Sequence, residues 1–270
     1  MSVVRLRTWY YQQFDADPSR DVPAEGFGGW QNAQLELDLA RTAFVLMHAW
    51  KFGPADAFPG LHRAEDYIPR AQTICRDVLP PLLAAVRASP LPLIHVAFPH
   101  YAGRCPGQAR TLAIAGPDPA APAPIRPGAV AERLQRFRAD RAFPGSQNRD
   151  DIERWWRQAD FPHEARPADD DWVVCTSAQL AALCRRLGVD HLVYGGFAIN
   201  WCLLMSPGGM LDMSRQGLIC SAVRQAVTAV ESRESARGER NKEEGLWRVC
   251  VAFGFVYDAD DLIRALGSPT

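Results

Sequence analysis

The chain has 270 residues, of which 47% are hydrophobic and 23% charged, and its formal net charge is −1. This length allows one large or two small hydrophobic cores, and the composition is that of a globular protein, which excludes a disordered chain. The nearly neutral charge gives no global field that would attract nucleic acid or an anionic membrane, so we expect neither as a partner.

The cysteines and the absence of targeting segments indicate the cellular setting. The seven cysteines are odd in number and have no C-x-x-C or zinc-type spacing. The N-terminus lacks a hydrophobic signal core, and no apolar run approaches transmembrane length. We therefore expect reduced thiols in a cytoplasmic protein. Only Lys51 and Lys242 are lysines, so few positions can supply a lysine acid or base.

The first residues of the chain differ from the remainder. Residues 1–36 show no clear periodicity and carry several aromatic side chains. We predict an N-terminal arm over 1–36, lying over the domain or over a partner subunit, and one domain over 37–270.

After the arm, predicted strands alternate with predicted helices. Apolar runs predict strands over 42–50, 91–98, 172–175, 191–194, 218–223 and 255–256. Helical periodicity and capping residues predict helices over 69–89, 129–141, 149–159, 176–188, 239–253 and 258–266, the first of them split at Pro80 and Pro81. Five prolines over 116–127 exclude helix and central strand there.

This alternation predicts the fold class. Strands that alternate with helices form βαβ units, so we expect a doubly wound α/β domain with three α/β/α layers and a mainly parallel sheet. Ligands of such sheets bind beyond the carboxyl ends of the strands. His48, His95 and the turn before Cys202 all fall near those ends.

Cys202 follows a turn whose sequence favours a nucleophilic cysteine. Residues 192–202, LVYGGFAINWC, predict a strand, a glycine-containing turn and a cysteine where a helix begins. A helix N-terminus offers free N–H groups and partial positive charge, which favour thiolate and so a nucleophilic cysteine. The alternative interpretation is that Cys202 is a small buried apolar residue, like Leu203 and Leu204.

The sequence resembles the isochorismatase-like cysteine hydrolases, which include nicotinamidases. TAFVLMHAW from residue 42 is similar to the first strand of that family, LPLIHVAF from residue 91 to its second, and SAQLAALCRRLGVDHLVYGGFAINWCL from residue 177 to the helix, strand and turn that lead to its nucleophile. The resemblance covers roughly residues 37–266. It places Cys202 on the catalytic cysteine, which attacks a carbonyl or C–N bond to form a thioester.

The resemblance carries further implications for the site. It implies a cis peptide bond at Phe197-Ala198 or Ala198-Ile199, and a homodimer or higher homo-oligomer. Substrate or oxyanion contacts are then expected from residues of the turn and of the first two strands: Phe197, Ala198, Ile199, Trp201, Trp50 and His100.

Several positions depart from the family pattern. The aspartate at the end of the first strand is replaced by His48, and the lysine position falls near Cys175, where neither lysine of the chain lies. Pro207 belongs to an insertion after Cys202 that predicts a broken or late helix. Around His100 the carboxylate of a nicotinamidase-like metal site is missing, so we predict neither a metal nor a cofactor.

Two hypotheses follow for function. In the first, the chain is a hydrolase that acts on a small-molecule amide, C–N or related bond through a Cys202–His48 pair, since histidine is a competent base near neutral pH. In the second, it is an inactive family member retained for ligand binding or assembly, because two of three catalytic side chains are replaced. Nucleotide binding has no support, since neither a G-x-G-x-x-G after a strand nor a P-loop is present.

Overall fold

An eight-stranded sheet forms the centre of the molecule. The structure, a computed structural model, describes residues 3–120 and 123–267. The strands are β1 (Val3–Gln12), β2 (Gly29–Asp38), β3 (Thr42–Met47), β4 (Leu93–Val96), β5 (Trp172–Val174), β6 (His191–Phe197), β7 (Ile219–Thr228) and β8 (Val256–Tyr257).

The strand order makes the sheet doubly wound. It runs β2-β1-β8-β7-β6-β3-β4-β5, and the strands from β8 to β5 are parallel. From β3 the chain proceeds outward to β4 and β5, then returns to the other side of β3 to form β6, β7 and β8. The order therefore reverses beside β3, and the crevice beyond the carboxyl ends of β3 and β6 is the expected ligand site.

Helices cover both faces of this sheet. They are α1 (Pro59–Ala64), α2 (Ile68–Thr73), α3 (Leu79–Arg87), α4 (Pro99–Ala102), α5 (Pro106–Ala115), α6 (Ala129–Ala139), α7 (Ser146–Trp156), α8 (Ser177–Leu187), α9 (Cys202–Met205), α10 (Met210–Arg215), α11 (Arg240–Ala252) and α12 (Ala259–Gly267). One core contains side chains of α1, α2, α3, α7 and α12, and a second contains side chains of α8, α10 and α11. The predicted three-layer α/β/α class is confirmed.

The arm predicted over residues 1–36 is wrong for the described residues from Val3 onward. β1 and β2 form an antiparallel hairpin in register from Val3↔Asp38 to Gln12↔Gly29, and β1 joins the main sheet by pairing with β8. Val4, Leu6 and Thr8 are buried while the residues between them are exposed, which is the period of a strand. The hairpin extends the sheet rather than lying over it.

Helix boundaries and a proline-rich loop predicted in the middle of the chain are confirmed. The helix predicted over 69–89 is split, because a π-helical turn over Ile74–Val78 separates α2 from α3, and the two prolines stand in the first turn of α3. Thr176 caps α8 by accepting a hydrogen bond from the Gln179 N–H (3.2 Å), and Gly188 ends it with φ of 72°. Described residues of the run 116–127 form neither helix nor strand; Ala121 and Pro122 lie outside the described residues.

Four strands, β3, β4, β6 and β7, differ from their predicted lengths by three or four residues. β3 ends at Met47 rather than residue 50, because His48 turns the backbone to φ of 52°. β7 continues to Thr228, five residues beyond its predicted end. No helix in the described part of the chain is long and apolar enough to cross a membrane.

Candidate active site

The turn after β6 holds the backbone in a conformation that needs glycine. Gly196 has φ of 115°, and a register shift toward β7 falls between Tyr194 and Gly196. The Phe197–Ala198 peptide bond is cis, at one of the two positions implied by the family resemblance. The Ala198 carbonyl then accepts hydrogen bonds from the N–H groups of Trp201 and Leu203 (both 3.1 Å), which closes the turn and presents Cys202.

Asn200 ties this turn to the segment that follows β7. Its Nδ2 donates to the Val230 carbonyl (2.9 Å), and its Oδ1 accepts from the Val230 N–H (3.0 Å). Ile199 is fully buried on the other side, against Gly245 of α11. The turn is therefore fixed from two directions.

The helix that begins at Cys202 is a single turn. α9 ends at Met205, and the chain resumes helical structure only at Met210, after the insertion that contains Pro207. The break predicted from that insertion is confirmed. The positive end expected behind the thiol is correspondingly small, because the helix dipole adds up over aligned peptide units.

The Cys202 thiol is protonated at neutral pH. Burial raises its pKa; hydrogen bonds with the Ser206 side chain and the Ala198 backbone oppose this, and the nearby Glu65 carboxylate raises the pKa further. This contradicts the thiolate-favouring environment expected from the sequence. A nucleophilic role for Cys202 thus requires a group that removes its proton.

A cavity of about 150 Å³ opens onto Cys202. Its apolar walls are Trp50, Phe143, Ala198, Trp201 and Val230. Its other three lining residues, Glu65, Tyr67 and Cys202, carry functional groups. Among the described residues, no lysine, arginine or histidine lines it.

Glu65 is a carboxylic acid in an apolar setting. It directly follows α1 and is half-buried, and within the described residues its carboxylate meets neither a hydrogen-bond donor nor a cation. Burial, together with the charge of Asp66, raises its pKa to about 7. Glu65 therefore changes protonation near neutral pH.

Tyr67 supplies a hydroxyl group to the same cavity. Burial, and then the charges of Glu65 and Cys202, raise the pKa of Tyr67 well above its ordinary value. The phenol consequently stays neutral and remains a hydrogen-bond donor over the physiological pH range.

The segment that carries Glu65 and Tyr67 is anchored to the end of β7. The Asp66 carboxylate accepts hydrogen bonds from Arg70 (2.6 Å) and from the Glu231 N–H (3.1 Å). Arg70 also donates to Thr228 Oγ1 and to the Ala229 carbonyl, each at 3.1 Å. These contacts fix the segment that brings Glu65 to the cavity.

His48, the predicted base, lies beside this cavity and not among the residues that line it. Its ring stacks on Phe98 (4.5 Å between centroids) and Trp50 (5.3 Å), and its buried Nδ1 has no hydrogen-bond partner in the described structure. Burial lowers the pKa of His48 to about 3. Such an imidazole is a weak base, so its catalytic role stays a prediction from the sequence.

The other predicted site residues divide into two groups. Trp50, Ala198 and Trp201 line the cavity with Cys202. Phe197 lies behind it, with its ring 6.3 Å from that of Tyr67. His100 is exposed beside Trp156, and no metal-binding group of three or more His, Cys, Asp or Glu occurs among the described residues.

Four cavity residues were not predicted from the sequence, namely Glu65, Tyr67, Phe143 and Val230. None of them belongs to a motif. Glu65 and Tyr67 stand between two short helices that were not separately predicted, and Phe143 precedes a proline in a connecting segment. Tertiary folding alone brings them to Cys202.

A larger cavity, of about 470 Å³, shares the Trp50 wall. This larger cavity is open to solvent, and Cys75 is the cysteine that lines it. Burial, and then the charge of Glu164, raise the pKa of Cys75 to about 12. We assign the site to the smaller cavity, because it alone contains the cysteine that follows β6 at the switch in strand order.

Neither a family model nor a curated protein matches this sequence. Solved structures do match. A cysteine hydrolase from Pseudomonas syringae pv. phaseolicola is 16% identical, with 85% of this chain and 94% of that chain covered and a TM-score of 0.48. An isochorismatase-like hydrolase from Alkaliphilus metalliredigens is 17% identical, with 83% and 98% covered and a TM-score of 0.49. An isochorismatase family protein from Burkholderia thailandensis is 16% identical, with 85% and 97% covered and a TM-score of 0.46.

Proposed function

We propose that this chain is an isochorismatase-like cysteine hydrolase that cleaves an amide, C–N or related bond of a small molecule through Cys202. One observation carries the proposal: the Cys202 thiol lines a largely apolar cavity, in the turn that follows the cis peptide bond at the end of β6. A nucleophile at that place can reach a carbonyl group bound beyond the carboxyl edge of the sheet.

The cavity limits the substrate. Its volume of about 150 Å³ admits a small acyl group, and the aromatic walls favour a flat or apolar one. Because no cationic side chain lines it, an anionic group next to the reacting carbonyl would be buried without a partner. The expected substrate is therefore a small molecule that is uncharged around the bond that breaks.

The chemistry follows from the thiol. The sulfur attacks the carbonyl carbon, the bond to the leaving group breaks, and the acyl group remains on Cys202 as a thioester. Water then cleaves the thioester and restores the thiol.

Acylation by a small neutral ester, 4-nitrophenyl acetate, tests the proposal. We expect an acetyl group on Cys202, found by peptide mass spectrometry and removed by hydroxylamine, with continued release of 4-nitrophenol. Cys202→Ala should abolish both. Cys105→Ser is the matched control, because Cys105 is another partly exposed thiol outside this cavity.

A binding protein without hydrolase activity is the second candidate. It is favoured by the raised pKa of Cys202 and by the lack of a lysine in the cavity. If no acyl group forms on Cys202 while small neutral amides still bind in the cavity, this second function replaces the first. Assembly into a homo-oligomer stays a prediction for either function.

A further inference from the structure

We propose that Glu65 is the acid–base residue of this site, taking the proton of the Cys202 thiol and returning it to the leaving group. This inference rests on the proposed hydrolase function. It is carried by geometry: Glu65 and Cys202 line the same small cavity, from two segments that are each tied to the end of β7.

Few residues of the cavity can accept the proton of Cys202. Of the described residues that line the cavity, only Glu65, Tyr67 and Cys202 have ionisable side chains. Tyr67 is a neutral donor and cannot accept a proton from a thiol, because its pKa is raised by burial. Glu65 remains, and its carboxylate is near enough for its charge to raise the pKa of Cys202.

The electrostatic surroundings suit an exchange of protons. The charged and titratable groups around Glu65 are Asp66, Tyr67 and Cys202, while the nearby Arg70 is held by Asp66 and Glu239. Burial, and then the charge of Asp66, bring the pKa of Glu65 to about 7. An acid–base group is most effective when its pKa lies near the working pH.

The proton balance closes over one turnover. The Glu65 carboxylate accepts the S–H proton as sulfur forms its bond to the carbonyl carbon. The protonated carboxyl group gives that proton to the leaving nitrogen or oxygen as its bond to carbon breaks. In the second half Glu65 takes a proton from the attacking water and returns it to sulfur when the thioester bond breaks.

The test measures Cys202 acetylation by 4-nitrophenyl acetate against pH in the full chain. We expect the wild-type rate to rise through an inflection near pH 7. Glu65→Gln should remove that inflection and lower the rate at neutral pH by at least about 100-fold. Glu65→Asp should retain part of the rate, and Glu164→Gln, an exposed carboxylate of the larger cavity, should retain all of it.

A second reagent separates a proton-transfer role from a structural one. Iodoacetamide reacts with thiolate, and removing the Glu65 charge removes one cause of the raised Cys202 pKa. Glu65→Gln should therefore alkylate at alkaline pH at least as fast as wild type. Loss of both reactions would mean that the variant has lost its fold and that Glu65 is structural, which overturns the proposal.

The pKa of Glu65 can also be measured directly in the unaltered chain. The Glu65 side-chain carbon, observed by ¹³C NMR, should titrate near pH 7, and a midpoint near the ordinary value of 4.5 would overturn the proposal. Acylation that is unchanged in Glu65→Gln would also overturn it and leave Cys202 as the nucleophile. An unreactive Cys202 in wild type would instead reject the hydrolase itself.

Discussion

Gly196 and Met47 pass so close that no side chain fits between them. A Cβ on Gly196 would lie 1.8 Å from the Met47 carbonyl oxygen, and residue 196 also has a positive φ. The two residues are paired across β6 and β3 at the carboxyl edge of the sheet. The position of the Cys202 turn therefore depends on this contact.

Gly196→Ala should be strongly destabilising. The methyl group forces β6 away from β3, so we expect a loss of about 4 kcal/mol or more in the free energy of unfolding, measured with urea. Gly116→Ala is the control: its φ is also positive, but its Cβ meets nothing within 4 Å. Gly116 has φ of 69° and ψ of −165°, a conformation that disfavours alanine, so that variant should lose about 1–3 kcal/mol. Equal losses in the two variants would contradict the importance of the contact.

Asn200→Ala should loosen the turn without removing the nucleophile. It deletes both hydrogen bonds with Val230 and leaves the Val230 N–H unsatisfied, while the Val230 carbonyl keeps its hydrogen bond from Asn241; the expected cost is about 1–3 kcal/mol in thermal unfolding. Because Val230 forms a cavity wall, alkylation of Cys202 by iodoacetamide should also change in rate. Asn32→Ala, at an exposed position of β2, should alter neither quantity; an unchanged Asn200→Ala variant would refute the prediction.

Glu65 should make stability fall as pH rises. Its folded pKa, about 7, exceeds its unfolded value of about 4.5, so the native state holds the extra proton in that interval and the free energy of unfolding decreases from pH 5 to 8. The contribution is at most about 3 kcal/mol, reduced by partial solvent exposure. Urea unfolding over this range should show the free energy of unfolding of wild type falling relative to that of Glu65→Gln as the pH rises. A constant difference would count against the raised pKa.

His48 should have the opposite effect on the pH dependence of stability, which should rise with pH. Its folded pKa of about 3 lies below the unfolded value of about 6.5, so its contribution is present above pH 6.5 and is lost as pH falls. His48→Asn suits the left-handed backbone and removes this titration. Between pH 6.5 and 4 we expect wild type to lose about 3 kcal/mol more than the variant in urea unfolding.

The same variant tests the base predicted from the sequence. Since His48 does not line the cavity, Cys202 acetylation in His48→Asn should stay within a few-fold of wild type at pH 7. A loss of about 100-fold, with the fold intact by circular dichroism, would instead assign the proton transfer to His48.

The features that could be predicted from sequence are those with local causes. Continuous apolar runs indicated β3, β4 and β6, and Thr176 and Gly188 marked the ends of α8. The β1–β2 hairpin was missed because Leu37 is the one buried residue of β2, so this strand lacks a clear alternation. Glu65 was missed for a different reason: the cavity that it lines is completed by residues far along the chain, such as Phe143 and Val230.

The position of Phe143 allows ligand preference to change between related proteins while the fold is kept. It forms one wall of the cavity, yet it is 59% exposed and belongs to the connection between α6 and α7, outside both hydrophobic cores. Substitutions there carry little folding cost, because surface positions tolerate change. Selection can thus reshape the wall that meets the ligand while β6, its turn and the thiol stay as they are.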